Sequence, residues 1–352
     1  MREPKRAKIA TASEGSSFRG AEYRDRASSF RGAEYRDRAS SFRGAEYRDR
    51  ASSFRGAEYR DTETESRPGK IVSQRATSQD AAPGDIVTTL LDEGALIAAR
   101  TWCASAPVEV HERIGSTNDR VAELAAEGAP EGTLVVARLQ TAGRGRRGRT
   151  WASPEGGLYF SFLLRPSEEA LRSGLPATLV AGLALCQALE GLTPPEAQPE
   201  LKWPNDVLIQ GKKVSGILGE MSRDDAGPSL VLGLGVNVGA AELPAELDST
   251  ATRLPAVGAT PAPEEVLGAF FARFGPLWTE LSENPQGSRD SFLGEAARRM
   301  PSLGRTIRLH LPNEVVEGVF RGLSATGGLI LEREGAAKTY LAGDVEAARP
   351  QL

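Results

Sequence analysis

Apolar positions along residues 108–345 follow two periods, and their alternation predicts a mixed α and β fold. Residues 108–114 alternate as a strand does, and residues 133–139 are rich in β-branched side chains. Residues 157–164 continue the strand pattern, and residues 230–238 read as a buried strand. Segments 207–209 and 214–221 predict a hairpin turning at Gln210-Gly211. Ser116 predicts a helix N-cap, with Asp119 in the first turn and Gly128 at the far end. Residues 176–192 are almost all apolar and predict a central helix with proline in its first turn. Two further helices are expected over 263–281 and 288–300, and a short one over 85–103. After residues 301–304 the texture changes. Segments 306–311, 315–323, 328–334 and 338–341 are short strands split by Pro, Gly and Asn, which suggests a small barrel.

The first 83 residues lack such patterning. The unit SSFRGAEYRDRA recurs from Ser16, Ser28, Ser40 and Ser52, the last copy ending at Asp61. Phe and Tyr are its only large apolar residues, too few to offset the entropy of ordering, so residues 1–83 are expected to be disordered. The expected organisation is therefore a disordered segment (1–83), a catalytic domain (84–302) and a C-terminal domain (303–352).

Composition narrows the chemistry. The 352 residues contain two histidines (His111, His310) and two cysteines (Cys103, Cys186). That argues against a structural zinc site, a histidine charge relay and a disulfide framework, and it fits a reducing cytoplasm. No apolar run has the length of a membrane span. Residues 1–61 carry 15 Lys/Arg against 10 Asp/Glu, so the net charge of −4 leaves the remainder at −9. An acidic body suits a local anion site better than a broad nucleic-acid face.

That local site is the run from Gly143 to Trp151, with arginines at 144, 146, 147 and 149 among three glycines. Glycines let backbone N–H groups approach a ligand, and guanidinium forks match carboxylate and phosphate oxygens. Taken alone, the run also fits an arginine-rich nucleic-acid segment. Six like-charge pairs at ~7 Å cost about 0.6 kcal/mol each in water, so the free loop is expected to be mobile until an anion arrives. Ser116-Thr117-Asn118 stands where a strand meets a helix N-terminus, a place that grips polar ligand groups but also suits a plain cap. Gln140 can both donate and accept, as an amide or urea requires. Lys202-Trp203-Pro204-Asn205-Asp206 packs a lysine, an indole, a bend and a carboxylate together; Trp203 could simply fill the core. Strand alternation requires one of Lys212 and Lys213 to point inward. Gly233-Leu234-Gly235-Val236-Asn237-Val238 fails as a dinucleotide fingerprint because position 238 is valine.

Together these motifs, in this order, resemble the biotin protein ligases, from about residue 108 to 345. The resemblance implies an α+β fold: a mixed sheet flanked by helices, of the class II aminoacyl-tRNA synthetase and biotin ligase type, with a small C-terminal SH3-like barrel. It implies ATP-dependent joining of biotin to a lysine of a biotin carboxyl carrier protein of acetyl-CoA carboxylase or a related carboxylase, through biotinyl-5′-AMP, with Mg2+. On that resemblance Ser116, Thr117, Asn118 and Gln140 hold biotin. Arg144, Gly145, Arg146 and Lys213 gather its carboxylate and the phosphate, the three charged groups serving catalysis. Trp151 and Asn237 bound the adenine. Lys202, Asn205 and Asp206 line the phosphate and magnesium side. A homodimer paired through sheet edges is also in keeping with the resemblance. About twenty patterned residues, 85–103, stand ahead of the first expected strand, too few for a winged helix, so no operator binding is expected. The rival readings are a lipoate or octanoate ligase, which needs a long apolar groove, and an RNA-binding protein, which leaves Gln140, Lys202–Asp206 and Lys213 unexplained.

Overall fold

The structure is a computed structural model that describes residues 102–103 and 105–347, apart from 175, 225–226, 240–241 and 285. The repeats, and all of the helix expected over 85–103 except its last two residues, lie outside the described residues. Seven strands form one sheet: β1 (Val108–His111), β2 (Leu134–Ala137), β3 (Leu158–Leu164), β4 (Pro199–Lys202), β5 (Asp206–Ile209), β6 (Lys212–Asp224) and β7 (Gly227–Val236). Their order is β1-β2-β3-β7-β6-β5-β4. The β1–β2 pair is parallel and every other neighbouring pair antiparallel.

Helices cover both faces. Helix α1 (Thr117–Ala126) lays Val121 and Ala125 against Val135, Leu163 and Val231. After α2 (Glu168–Ser173), helices α3 (Ala177–Glu190) and α4 (Pro263–Glu283) bury the larger core on the opposite face. There Phe160 and Phe162 of β3 meet Phe270, Phe271 and Phe274 of α4, the Phe162–Phe274 rings standing edge to face at 5.0 Å. Double coverage explains why all four residues of β2 and all seven of β3 are buried. Gln210 and Gly211 take positive φ (52° and 74°), as a two-residue hairpin turn demands.

Helix α5 (Arg289–Arg298) leads to a second sheet: β8 (Thr306–His310), β9 (Val315–Leu323), β10 (Leu329–Arg333), β11 (Ala336–Tyr340) and β12 (Asp344–Ala347). All its pairings are antiparallel, in the order β11-β10-β9-β8-β12. Trp203 fastens it to the first sheet, its buried indole N–H donating to the Gly327 carbonyl at 2.9 Å. Strand β12, helix α2 and strand β4 have no counterpart among the expected elements; with four to six residues each, they are too short to show a period.

Candidate functional site

The site grows from three chain reversals that meet above β6 and β7. At the first, Ser116 caps α1 and accepts from the Asp119 N–H at 3.5 Å. The Thr117 N–H donates to Gln140 Oε1 at 2.8 Å. Gln140 extends the β2 edge, where it bridges Ile114, and its Nε2 donates to Ser153 Oγ at 3.0 Å. Asn118 Nδ2 donates to Glu220 Oε2 at 2.7 Å.

The arginine run is the second reversal. Arg144 bridges Thr150, the Trp151 N–H reaches the Gly143 carbonyl at 2.9 Å, and a single 3-10 turn (Arg146–Gly148) forms the tip, with Arg147 and Gly148 at positive φ. The expected repulsion is offset by partners far away in sequence. Arg144 Nη2 contacts Asp119 at 2.6 Å and Glu220 at 2.8 Å. Arg147 and Arg149 both reach Asp344 of β12 at 3.2 Å. Arg146 is different: its Nη1 donates to Asn205 Oδ1 at 2.9 Å, and burial pulls its guanidinium pKa below the usual value.

The third reversal links β4, β5 and β6. Asn205 is locked by its Nδ2 on the Ile217 carbonyl at 2.8 Å. Lys213 points inward, as alternation required, and its Nζ stands 2.7 Å from Asp206 Oδ1, an ion pair without the alignment of a full hydrogen bond. Lys212 turns outward to the Asp248 carbonyl. Lys213 Nζ also lies 5.0 Å from the centroid of the Trp151 ring. That indole rests on bare backbone. A Cβ at Gly235 would stand 2.3 Å from Trp151 Nε1, and one at Gly216 would stand 2.9 Å from its Cζ3. A Cβ at Gly233 would fall 1.9 Å from Asn118 Oδ1. The glycines of β7 therefore seat two site side chains, a use that the failed dinucleotide pattern did not suggest.

Between these reversals lies an open cleft of about 180 Å3. Ser116, Thr117, Asn118, Gln140, Arg144, Gly145, Arg146, Trp151, Lys202, Asn205, Asp206 and Lys213 all line it. Asn237 does not. It is buried behind the cleft, and its Nδ2 holds the Thr252 carbonyl at 2.8 Å. Sequence reasoning missed Asp344 and Val345, which reach the cleft from the second sheet, and Glu220, which ties Asn118 to Arg144. Among the described residues no cluster of three metal-ligating side chains occurs, and no helix is long and apolar enough to cross a membrane.

Comparisons with known proteins point to one family. Residues 110–237 match the biotin/lipoate A/B protein ligase family, and residues 302–347 match the biotin protein ligase C-terminal domain. The biotin--[acetyl-CoA-carboxylase] ligase of Paracoccus denitrificans is 36% identical over 239 residues, 66% of this chain and 97% of that protein. The Mycobacterium tuberculosis protein of the same name is 34% identical over 68% of this chain and 88% of its own length. The Aquifex aeolicus biotin protein ligase, solved with biotin and ATP, superposes with a TM-score of 0.59 at 38% identity, over 68% of this chain and 97% of that one. The chain belongs to the biotin protein ligase family and is a ligase of that kind.

Proposed function

We propose that the cleft binds biotin and ATP side by side, joins them as biotinyl-5′-AMP, and passes the acyl group to a lysine of a biotin carboxyl carrier protein, in the cytoplasm. In the first step a biotin carboxylate oxygen attacks the α-phosphorus and the bond to pyrophosphate breaks. In the second, the neutral lysine amine attacks the acyl carbon, the bond to AMP breaks, and the amide nitrogen sheds its proton. Neither step needs a protein nucleophile, so the residues act by positioning and charge neutralisation.

The observation that carries this reading is the contrast between Arg146 and its neighbours. Arg144, Arg147 and Arg149 each contact a carboxylate, whereas half-buried Arg146 contacts only an amide oxygen among the described residues. A desolvated guanidinium with a neutral partner gains most from an incoming phosphate. Gly145 and Lys213 flank the same anion, Ser116, Thr117 and Gln140 take the ureido ring with Asn118 on the same side of the cleft, and Trp151 lies under the ligands. Lys202 and Asn205 face the phosphates, and Asn237 supports the adenine side through the 250–254 segment. Mg2+ would come with the nucleotide. Of the two carboxylates that line the cleft, Asp344 is held by Arg147 and Arg149, which leaves Asp206 to face the ion, so phosphate oxygens and water must complete its shell. The names of the Paracoccus and Mycobacterium relatives support acetyl-CoA carboxylase as the carboxylase whose carrier domain is modified.

The test is biotin-dependent ATP–pyrophosphate exchange by the purified protein, followed by transfer to a carrier domain and to its Lys→Arg variant. Exchange without biotin, or equal labelling of both carriers, would overturn the proposal.

A further inference from the structure

Ser161 lies one layer beneath the cleft. It sits on β3, is fully buried, and does not line the cavity. Its Oγ is 2.6 Å from Asn118 Oδ1 and 2.7 Å from Thr117 Oγ1, and it carries a single proton. The direction of that proton is decided elsewhere. Glu220 also contacts Arg144, and a carboxylate so placed can only accept, so Asn118 must turn its Nδ2 toward it. Asn118 Oδ1 is then left facing Ser161, and an amide oxygen also only accepts. Ser161 must therefore give its proton to Asn118. The 2.7 Å contact with Thr117 is favourable only if Thr117 donates to Ser161, because otherwise two lone pairs meet. Gln140 Oε1, which accepts the Thr117 backbone N–H at 2.8 Å, is a second acceptor within reach of the Thr117 hydroxyl, at 3.1 Å; the shorter 2.7 Å contact with Ser161 decides the direction of the proton.

We propose that Ser161 is a specificity-determining positioning residue: oriented by Asn118 and Glu220, it holds the Thr117 proton inward so that Thr117 offers the ligand only lone pairs. Thr117 then accepts a ring N–H of the cyclic urea and rejects a ligand with oxygen at that position, although Ser161 touches no ligand. The inference rests on the reading that the urea lies against Ser116, Thr117 and Gln140.

The test measures Kd by calorimetry, with the full chain, for biotin and for the two cyclic carbamates in which one or the other ureido N–H is replaced by oxygen. A site built to receive an N–H should disfavour the matching carbamate by about 100-fold or more. Ser161→Ala frees the Thr117 proton to turn toward the ring oxygen, so that ratio should fall about tenfold, with the biotin Kd changing less than the carbamate Kd. If Ser161→Ala does not fold, Glu220→Gln carries the same test from the partly exposed end of the chain, because a glutamine no longer dictates which way the Asn118 amide faces. A biotin-to-carbamate ratio that stays at the parent value in the folded variant would overturn the inference. Thr117→Val separates the two failures. If it leaves the biotin Kd unchanged, the urea is not at Thr117 and the underlying reading fails. If it weakens biotin while Ser161→Ala leaves the ratio intact, only the proton-holding role fails.

Discussion

Gly235→Ala probes how the indole of Trp151 is seated. The added methyl would stand 2.3 Å from Trp151 Nε1 and 2.5 Å from its Cε2. Non-bonded atoms of this kind settle near 3.5 Å, so something must yield by about 1.2 Å. The strand cannot, because Gly235 is held in register by Tyr159 on one side and Gly216 on the other. The indole must therefore lift, and Lys213 lies against it, with Asp206 beyond. Misplacing a positioning group by ~1 Å can lower a rate by about 100-fold, or about 2.7 kcal/mol of transition-state stabilisation. Overpacking at the edge of a cleft costs folding stability only about 1–3 kcal/mol. The expected variant is thus folded, slightly less stable, and about 100-fold slower in ATP–pyrophosphate exchange. Thermal unfolding run beside the exchange assay separates the two effects. A folded Gly235→Ala protein exchanging within threefold of the parent would refute the claim that the seat of Trp151 sets the geometry of the site.

Three more expectations concern charge. Asp344→Asn removes the shared partner of Arg147 and Arg149; exposed pairs of this kind contribute about 0.2–1 kcal/mol each, so losing both should raise the KM for ATP about two- to thirtyfold, less so in high salt, and an unchanged KM would show that β12 does not help to order the loop. Arg146→Gly should speed escape of the adenylate by at least about tenfold and label lysines indiscriminately; single-turnover release of labelled adenylate at the parent rate would count against that role. Glu109 accepts from Arg120 at 2.9 Å and contacts His111 at 3.1 Å, and its pKa is lowered, chiefly by the Arg120 hydrogen bond. A lowered carboxyl pKa adds stability that is present above the unfolded value of ~4.3 and is lost as pH falls through the folded value. Glu109→Gln should therefore melt lower than the parent at pH 7 and converge with it in acid; a gap of the same size at both ends of the pH range would rule out this linkage.

The elements with long periods were legible in the sequence, and so were the motifs whose residue types have few other uses. Strands β3 and β7 and helices α3 and α4 fall where spacing placed them, because each repeats its pattern over at least seven residues. Strand β12 was not legible. Its four residues follow Gly343 at φ 153° and acquire strand character only by pairing with β8. Twelve of the thirteen proposed site residues line one cleft, where two arginines and the inward lysine bring positive charge together. Asn237 stands apart because its motif fixed a position just past the end of β7 but not the direction of its side chain. The two glycines before it were misleading in a useful way. Spaced by two in a strand, they share a face, and that face is where Asn118 and Trp151 need backbone without side chains.

What no local pattern could show is the set of acceptors around the arginines. Glu220 is 76 residues from Arg144, and Asp344 is 195 residues from Arg149. Six like-charge pairs at about 0.6 kcal/mol each would keep an isolated loop open, yet Asp119, Glu220 and Asp344 give three of the four guanidiniums an opposite charge within contact distance. This changes what ligand binding must do in the proposed reaction. Arg144, Arg147 and Arg149 already have a carboxylate partner that holds them in place, so a phosphate or carboxylate ligand adds little there. At Arg146 it replaces a neutral amide beside an already desolvated cation, and the gain is large. Affinity for the activated intermediate should therefore concentrate on one arginine of the four, while the other three decide how readily the loop lets go.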